Sequence, residues 1–328
     1  MIKTACILSI LMLLITSYRR SPVMIKKNIV PSIFAPGIIS TPDDEFGCSF
    51  TPDGKSCYFS LKSPSTISGS VLVICVSHFK DGHWTEPEVA PFSGHFKDFN
   101  PSVSPDGAKL FFISNRPVAE KKKTDTDIWM VEMTDNGWGE PKNIGAPVNS
   151  SSYELGCSAT KNGTIYFSSY GTNGNLDIYR SSYINGKYEA SELLSDSVNT
   201  ANSETDPYIA PDESYILFSS QGRADALTGP GADAAYPRAD IYISFQKNGK
   251  WTKARNVGPI INSIAEETNP SVSPDGKTFY FTSERNFISI PMNKKITYGF
   301  LEEHLHATGN GLGDIYQVPV ESLMKPEK

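Results

Sequence analysis

Between residues 28 and 325, hydrophobic and polar positions alternate in short runs with the two-residue period of β-strands, and no helical period separates the runs. The clearest runs are aromatic: Cys57-Tyr-Phe-Ser, Leu110-Phe-Phe-Ile, Thr164-Ile-Tyr-Phe, Tyr215-Ile-Leu-Phe and Thr278-Phe-Tyr-Phe. Each follows a Pro-Asp-Gly-like turn, in which Pro presets φ and Gly accepts a positive φ. Each turn closes a shorter segment that begins with an acid: Glu45-Phe-Gly-Cys-Ser-Phe-Thr-Pro-Asp53, Asp98-Phe-Asn-Pro-Ser-Val-Ser-Pro-Asp106, Glu154-Leu-Gly-Cys-Ser-Ala-Thr-Lys-Asn162, Glu204-Thr-Asp-Pro-Tyr-Ile-Ala-Pro-Asp212 and Glu267-Thr-Asn-Pro-Ser-Val-Ser-Pro-Asp275. The spacing between copies is 53, 56, 50 and 63 residues, so length varies in loops while the strands keep register.

A third strand in each copy is headed Asp-Ile-aromatic, at Asp127, Asp177, Asp240 and Asp314, with Val73-Ile-Cys75 in the first copy. Asp81-Gly82, Asn136-Gly137, Asn185-Gly186 and Asn248-Gly249 then mark a second hairpin, followed by an aromatic and a fourth strand. A unit of four strands and about fifty residues cannot bury its own two faces and must stack on copies of itself. The pattern predicts an all-β chain: a five-bladed β-propeller of four-stranded antiparallel blades, one domain over 28–325. The fifth copy lacks an outer strand after Ile315–Val320, and Ile38-Ile-Ser-Thr41 resembles the passage Ile260-Ile-Asn-Ser263. An N-terminal strand pairing into the last blade therefore closes the ring and removes two exposed sheet edges.

These motifs resemble the TolB-like, WD-like propeller repeats of bacterial envelope proteins, in which Ser-Pro-Asp-Gly is followed by Tyr-Phe-x-Ser-x-Arg and by Gly-x-x-Asp-Ile-Tyr. Ser104-Pro-Asp-Gly107, Ser114-Asn-Arg116 and Asp127-Ile-Trp129 form the best copy, whereas the first copy has neither the Arg nor the Asp. The resemblance implies the fold, and a range of roles from docking platform to lyase or glycosidase.

Residues 1–17 hold Lys3, an apolar run from Ala5 to Ile15 and then Thr16-Ser17, which reads as a secretory signal or an uncleaved anchor. The expected location is therefore outside the cytoplasm, in the periplasm or cell envelope. The formal charge is −6, or −7 without Lys3, and no basic stripe exists, which argues against nucleic acid. Cys48, Cys57, Cys75 and Cys157 read as small buried hydrophobes. A Cys57–Cys75 bridge between neighbouring strands is the alternative in an oxidising compartment.

The long insertions Asn115–Thr126, Ser169–Leu176, Gln221–Ala239 and Glu284–Gly313 all join second to third strands and so crowd one face of the ring. On that face the symmetric reading places Asp98, Glu45, Glu154, Glu204 and Glu267 in a ring at the channel mouth. Carboxylates that close repel unless they are paired, bind a divalent cation or hold protons. Arg116, Arg223 and Arg285 offer partners, either to this ring or to the Asp that heads each third strand. Residues unique to one copy are better binding candidates, namely Tyr236, Arg238, Tyr298 and Phe300, and Tyr170 joins the three aromatics among them as an exposed stacking contact. Glu302, Glu303, His304 and His306 are metal-ligand types, on a strand that would align the imidazoles or on a helical turn.

Two functions follow. The first is a monomeric, noncatalytic propeller that binds an envelope protein or glycan through its loop-rich face. The second is a glycoside hydrolase or polysaccharide lyase acting through Glu45, Glu154, Glu204 and Glu267, with or without a divalent ion. No Gly-x-Ser-x-Gly elbow, phosphate loop or Ser-x-Asp-x-Gly-x-x-Trp box is present to favour the second.

Overall fold

The computed structural model describes residues 29–65, 69–118, 125–227, 238–286 and 295–323. Five antiparallel sheets stand around one axis as the blades of a propeller. The inner strands are Asp44–Phe50, Asp98–Val103, Glu154–Ala159, Glu204–Ile209 and Glu267–Val272. Each pairs with a second strand: Ser56–Lys62, Lys109–Ser114, Ile165–Tyr170, Tyr215–Gln221 or Thr278–Ser283. The third strands are Leu72–Lys80, Asp127–Thr134, Leu176–Ser181, Ala239–Lys247 and Asp314–Pro319.

The fourth strands are finer than the alternation predicts. In blade 4 the tail of the third strand pairs with Lys250–Trp251 across Asn248-Gly249, both residues at positive φ, and then Arg255–Asn256 pairs farther along. Blades 1 and 2 divide their outer edges in the same way, with His83–Trp84 before Glu88–Val89 and Gly137–Trp138 before Lys142–Asn143. The last blade takes its outer strand from the N-terminal side, as Ser32–Ile33 pairs antiparallel with Tyr316 and Gln317. That strand lies just before the Ile38–Thr41 passage rather than within it. Phe34 follows it and packs edge-on against Phe50, Trp84 and Tyr280, fastening blade 5 to blade 1.

Core residues gather into five clusters, each between neighbouring blades; one sets Tyr58, Ile74 and Val76 of blade 1 against Leu110, Phe112 and Trp129 of blade 2. The four cysteines of the described region are buried free thiols. Strand register sets Cys57 opposite Ser77 and Cys75 opposite Phe59, so the two cysteines are offset rather than paired.

A second repeat, unread in the sequence, lies five residues before each acid. Ser93, Asn149, Asn199 and Asn262 accept the backbone N–H of Ile74, Ile128, Ile178 and Ile241, at 3.0, 3.0, 2.8 and 2.9 Å. Ser40 does the same for Ile315 at 3.1 Å. The three asparagines also donate to the carbonyl of the same isoleucine, so each connection to the next blade is clasped to the third strand it leaves. Ile38–Ser40 thus repeats the role of Ile260–Asn262. Asn262→Ala should strand the N–H of buried Ile241, whose carbonyl keeps the Val257 N–H at 3.2 Å, and cost about 1–3 kcal/mol in denaturant unfolding; an unchanged midpoint would show that water replaces the clasp.

Candidate functional site

The repeated acids are not at the channel mouth. Glu45 is 1% exposed and Asp98, Glu154, Glu204 and Glu267 are 0% exposed, and none lines the axial cavity. The cause is a β-bulge after the acid in every inner strand, at Phe46–Ser49, Phe99–Ser102, Leu155–Cys157, Thr205–Tyr208 and Thr268–Ser271. The bulge turns the strand, so the acid points into the blade stack and the residue two positions on points to the axis.

Four of the acids are held by the hydroxyl and N–H of the residue four positions earlier; for Glu204 these are Thr200 N at 2.9 Å and Thr200 Oγ1 at 2.7 Å. The second strand adds a serine opposite all but the first: Ser114, Ser169, Ser220 and Ser283 donate to Asp98, Glu154, Glu204 and Glu267. Arg116, Arg223 and Arg285 pair with Asp98, Glu204 and Glu267 at 2.9, 2.9 and 3.1 Å, not with the Asp that heads the third strand. Each guanidinium also lies over two cross-strand aromatics, Arg223 for instance 5.1 Å from Phe218 and 4.5 Å from Tyr242. The third-strand acids have other partners: Asn143 donates to Asp127, and Asn256 and the Leu227 N–H donate to Asp240.

Blades 1 and 3 carry no such arginine. Opposite Glu45 stands Leu61, and after Tyr170 comes Gly171, where a Cβ would lie 2.3 Å from Asp177 Oδ2. Burial accordingly lifts both Glu45 and Glu154 to about 7, against the lowering pull of the Thr41 and Ser150 hydrogen bonds. Burial raises Asp98 too, opposed mainly by Arg116.

The remaining candidates scatter. Tyr170 is 44% exposed and meets Tyr153 edge-on, a surface pair beside the third blade's loop. Arg238 forms an exposed ion pair with Glu284 at 3.1 Å, joining the insertions of blades 4 and 5. Tyr236 lies outside the described residues. Tyr298–Leu305 is a short helix capped by Thr297, so the helical-turn alternative holds there. Tyr298 is 79% exposed on it, and Phe300 packs on His304. His304 lies in the last turn of this helix and His306 is its C-cap, outside the helical residues. Glu302 and Glu303 are exposed on the same helix. Among the described residues no three His, Cys, Asp or Glu side chains converge as a metal site requires.

What the sequence reading missed is the column two residues after each acid: Gly47, Asn100, Gly156, Asp206 and Asn269, all at positive φ between +33 and +60°. These five residues form one end of an axial cavity that reaches to the Pro-Asp-Gly turns. Burial raises Asp206 to about 6, against hydrogen bonds from Thr205 and Asn100. Glu266, half-buried beside the inner strand of blade 5, is raised by burial and by Glu284 and Asp206, while Arg238 and Gln221 lower it. The signal was available, because this column holds only Gly, Asn and Asp, the residues that most readily take a positive φ.

Among the described residues no helix is long and apolar enough to cross a membrane, and residues 1–17 lie outside them. No family model matches the chain, and no curated protein does. Solved structures do match. A protein described as TolB from Agrobacterium tumefaciens is 20% identical, with 74% of this chain and 71% of that one covered and a TM-score of 0.45. The catalytic domain of a GH62 α-L-arabinofuranosidase from Coprinopsis cinerea is 10% identical over 89% of this chain and 96% of that one, with a TM-score of 0.49. A puromycin-hydrolyzing peptidase of Mycobacterium tuberculosis is 12% identical over 82% of this chain at a TM-score of 0.39, and the chain spans 41% of its length. The chain is a five-bladed β-propeller.

Proposed function

We propose that the protein is an exported, noncatalytic propeller of the periplasm or cell envelope that binds a protein or glycan partner through its loop-rich face. One observation carries the noncatalytic part of this reading: the five repeated carboxylates are at most 1% exposed and tied into hydrogen bonds, out of reach of a substrate. What the same face offers to solvent instead is aromatic surface, at Tyr153 with Tyr170 and at Tyr298, on loops anchored to rigid strands.

The experiment has two arms. Envelope and plant polysaccharides, with and without divalent ions, should show no turnover, and Glu154→Gln or Glu204→Gln should alter melting alone. Envelope extracts and immobilised oligosaccharides should retain the wild-type protein and retain Tyr170→Ala and Tyr298→Ala at least tenfold less. Turnover of any polysaccharide that one of the Glu→Gln changes abolishes at unchanged melting would replace this reading with the hydrolase or lyase.

A further inference from the structure

The axial cavity encloses about 470 Å3, within the usual range for small-molecule sites, and does not involve the loop-rich face. Among the described residues only two that line it carry charge, Asp206 at one end and Lys161 at the other. Both depart from the repeat: Lys161 takes the place of the proline in Ser-Pro-Asp-Gly, and Asp206 stands where the other blades have Gly or Asn.

The end of the cavity around Asp206 is built across the axis. Asn269 Nδ2 donates to Asn100 Oδ1 at 3.0 Å, Asn100 Nδ2 donates to Asp206 Oδ1 at 3.1 Å, and Thr205 Oγ1 donates to Asp206 Oδ2 at 3.0 Å. Side chains of three blades can meet there because the other two contribute glycine. A Cβ on Gly156 would stand 2.9 Å from Asp206 Oδ1, and one on Gly47 would stand 3.1 Å from Asn100 Oδ1. Two neutral donors satisfy one lone pair on each carboxylate oxygen, and among the described residues no Lys, Arg or His pairs with the charge. A carboxylate drawn out of bulk water without a counter-charge is a place for a cation.

We propose that this cavity binds a small ligand through a primary ammonium group seated on Asp206. An ammonium brings three N–H donors, enough for the open lone pairs of Asp206 and a neighbouring amide oxygen. A calcium ion fits less well, since its six to eight oxygen ligands usually include more than one carboxylate, and among the described residues Asp206 is the one carboxylate lining the cavity. Phe50, Val103, Ile209 and Val272 supply apolar wall for a methylene chain. Lys161 at the far end disfavours a second ammonium and suits a carboxylate, so the ligand class is an ω-amino acid.

Titration calorimetry of the full chain with 6-aminohexanoate, hexanoate, cadaverine and calcium chloride tests this. Binding of 6-aminohexanoate is expected, with hexanoate at least tenfold weaker. Asp206→Asn should lose at least tenfold while melting like wild type, because Asn100 and Asn269 already occupy this position at the same positive φ. Lys161→Ala, at an exposed site, should shift preference from 6-aminohexanoate toward cadaverine and serves as a second readout. The proposal is overturned by no heat with either amine, by equal binding of hexanoate, by unchanged affinity in both variants, or by a response to calcium alone.

Discussion

Replacing Arg116 with alanine is expected to destabilise the propeller by roughly 3–5 kcal/mol, the cost of leaving one member of a buried ion pair without the other. Its guanidinium bonds Asp98 and the carbonyl of Phe92 and lies 5.0 Å over Phe112. Removing it takes away three things together: the counter-charge of a fully buried carboxylate, a donor to a buried carbonyl, and packing over the ring. Arg238→Ala removes an ion pair of similar length, 3.1 Å, but one exposed to solvent, and should cost no more than about 1 kcal/mol. Urea unfolding of both variants decides the matter. Should Arg116→Ala cost no more than Arg238→Ala, the buried arginines are not pins. Asp98→Asn combined with Arg116→Ala should recover part of the loss, since the stranded charge goes with its partner.

The blade count and the ring closure were legible because they rest on local chemistry. Pro-Asp-Gly fixes a turn within four residues, as at Ser104, where the Gly107 N–H donates to the Ser104 carbonyl and Asp106 accepts the Ser104 hydroxyl. Even the departure in the fourth copy has a reason: Glu213 adopts φ +58° where the others place Gly, and its carboxylate holds the Tyr166 hydroxyl at 2.8 Å. The direction of the acids was not legible, because strict alternation assigns an acid and the residue two beyond it to one face of a strand. One bulge per blade breaks that rule, moving Glu204 into the stack and Asp206 to the axis, and nothing in a two-residue period announces a bulge. Clasps such as Asn199 on Ile178 were hidden for another reason. They join a connection to a strand 21 residues earlier, and their members change between Asn and Ser from blade to blade.

Raising the pH from 5 to 8 is expected to lower the melting temperature, with Glu45 and Glu154 responsible for the slope above about 6. Both are lifted by burial from 4.5 to about 7 in the folded chain. The folded state therefore holds these protons more tightly than the unfolded state. Their stabilising effect is complete below about 4.5 and is lost as pH rises through 7. At about 1.4 kcal/mol per pKa unit, each amounts to on the order of 3 kcal/mol once ionised. The turn aspartates Asp53, Asp106 and Asp212, held low chiefly by neighbouring hydroxyls, act in the opposite sense, but only near and below their unfolded value around 4. They leave the window above pH 5 to the buried carboxyls, where Asp206, Asp240 and Asp314, raised by burial to about 6, add to the slope below 6 and Glu45 and Glu154 carry it on to 8. Glu204 has an arginine that Glu45 and Glu154 lack, so Glu204→Gln should strand Arg223. Glu154→Gln should instead flatten the profile and melt above wild type at pH 8, because a neutral amide keeps the Ser150 and Ser169 contacts without the buried charge. A wild-type profile that is level from pH 5 to 8, or a Glu154→Gln profile as steep as wild type, would mean that solvent reaches these carboxylates and that the buried description of the acid column is incorrect.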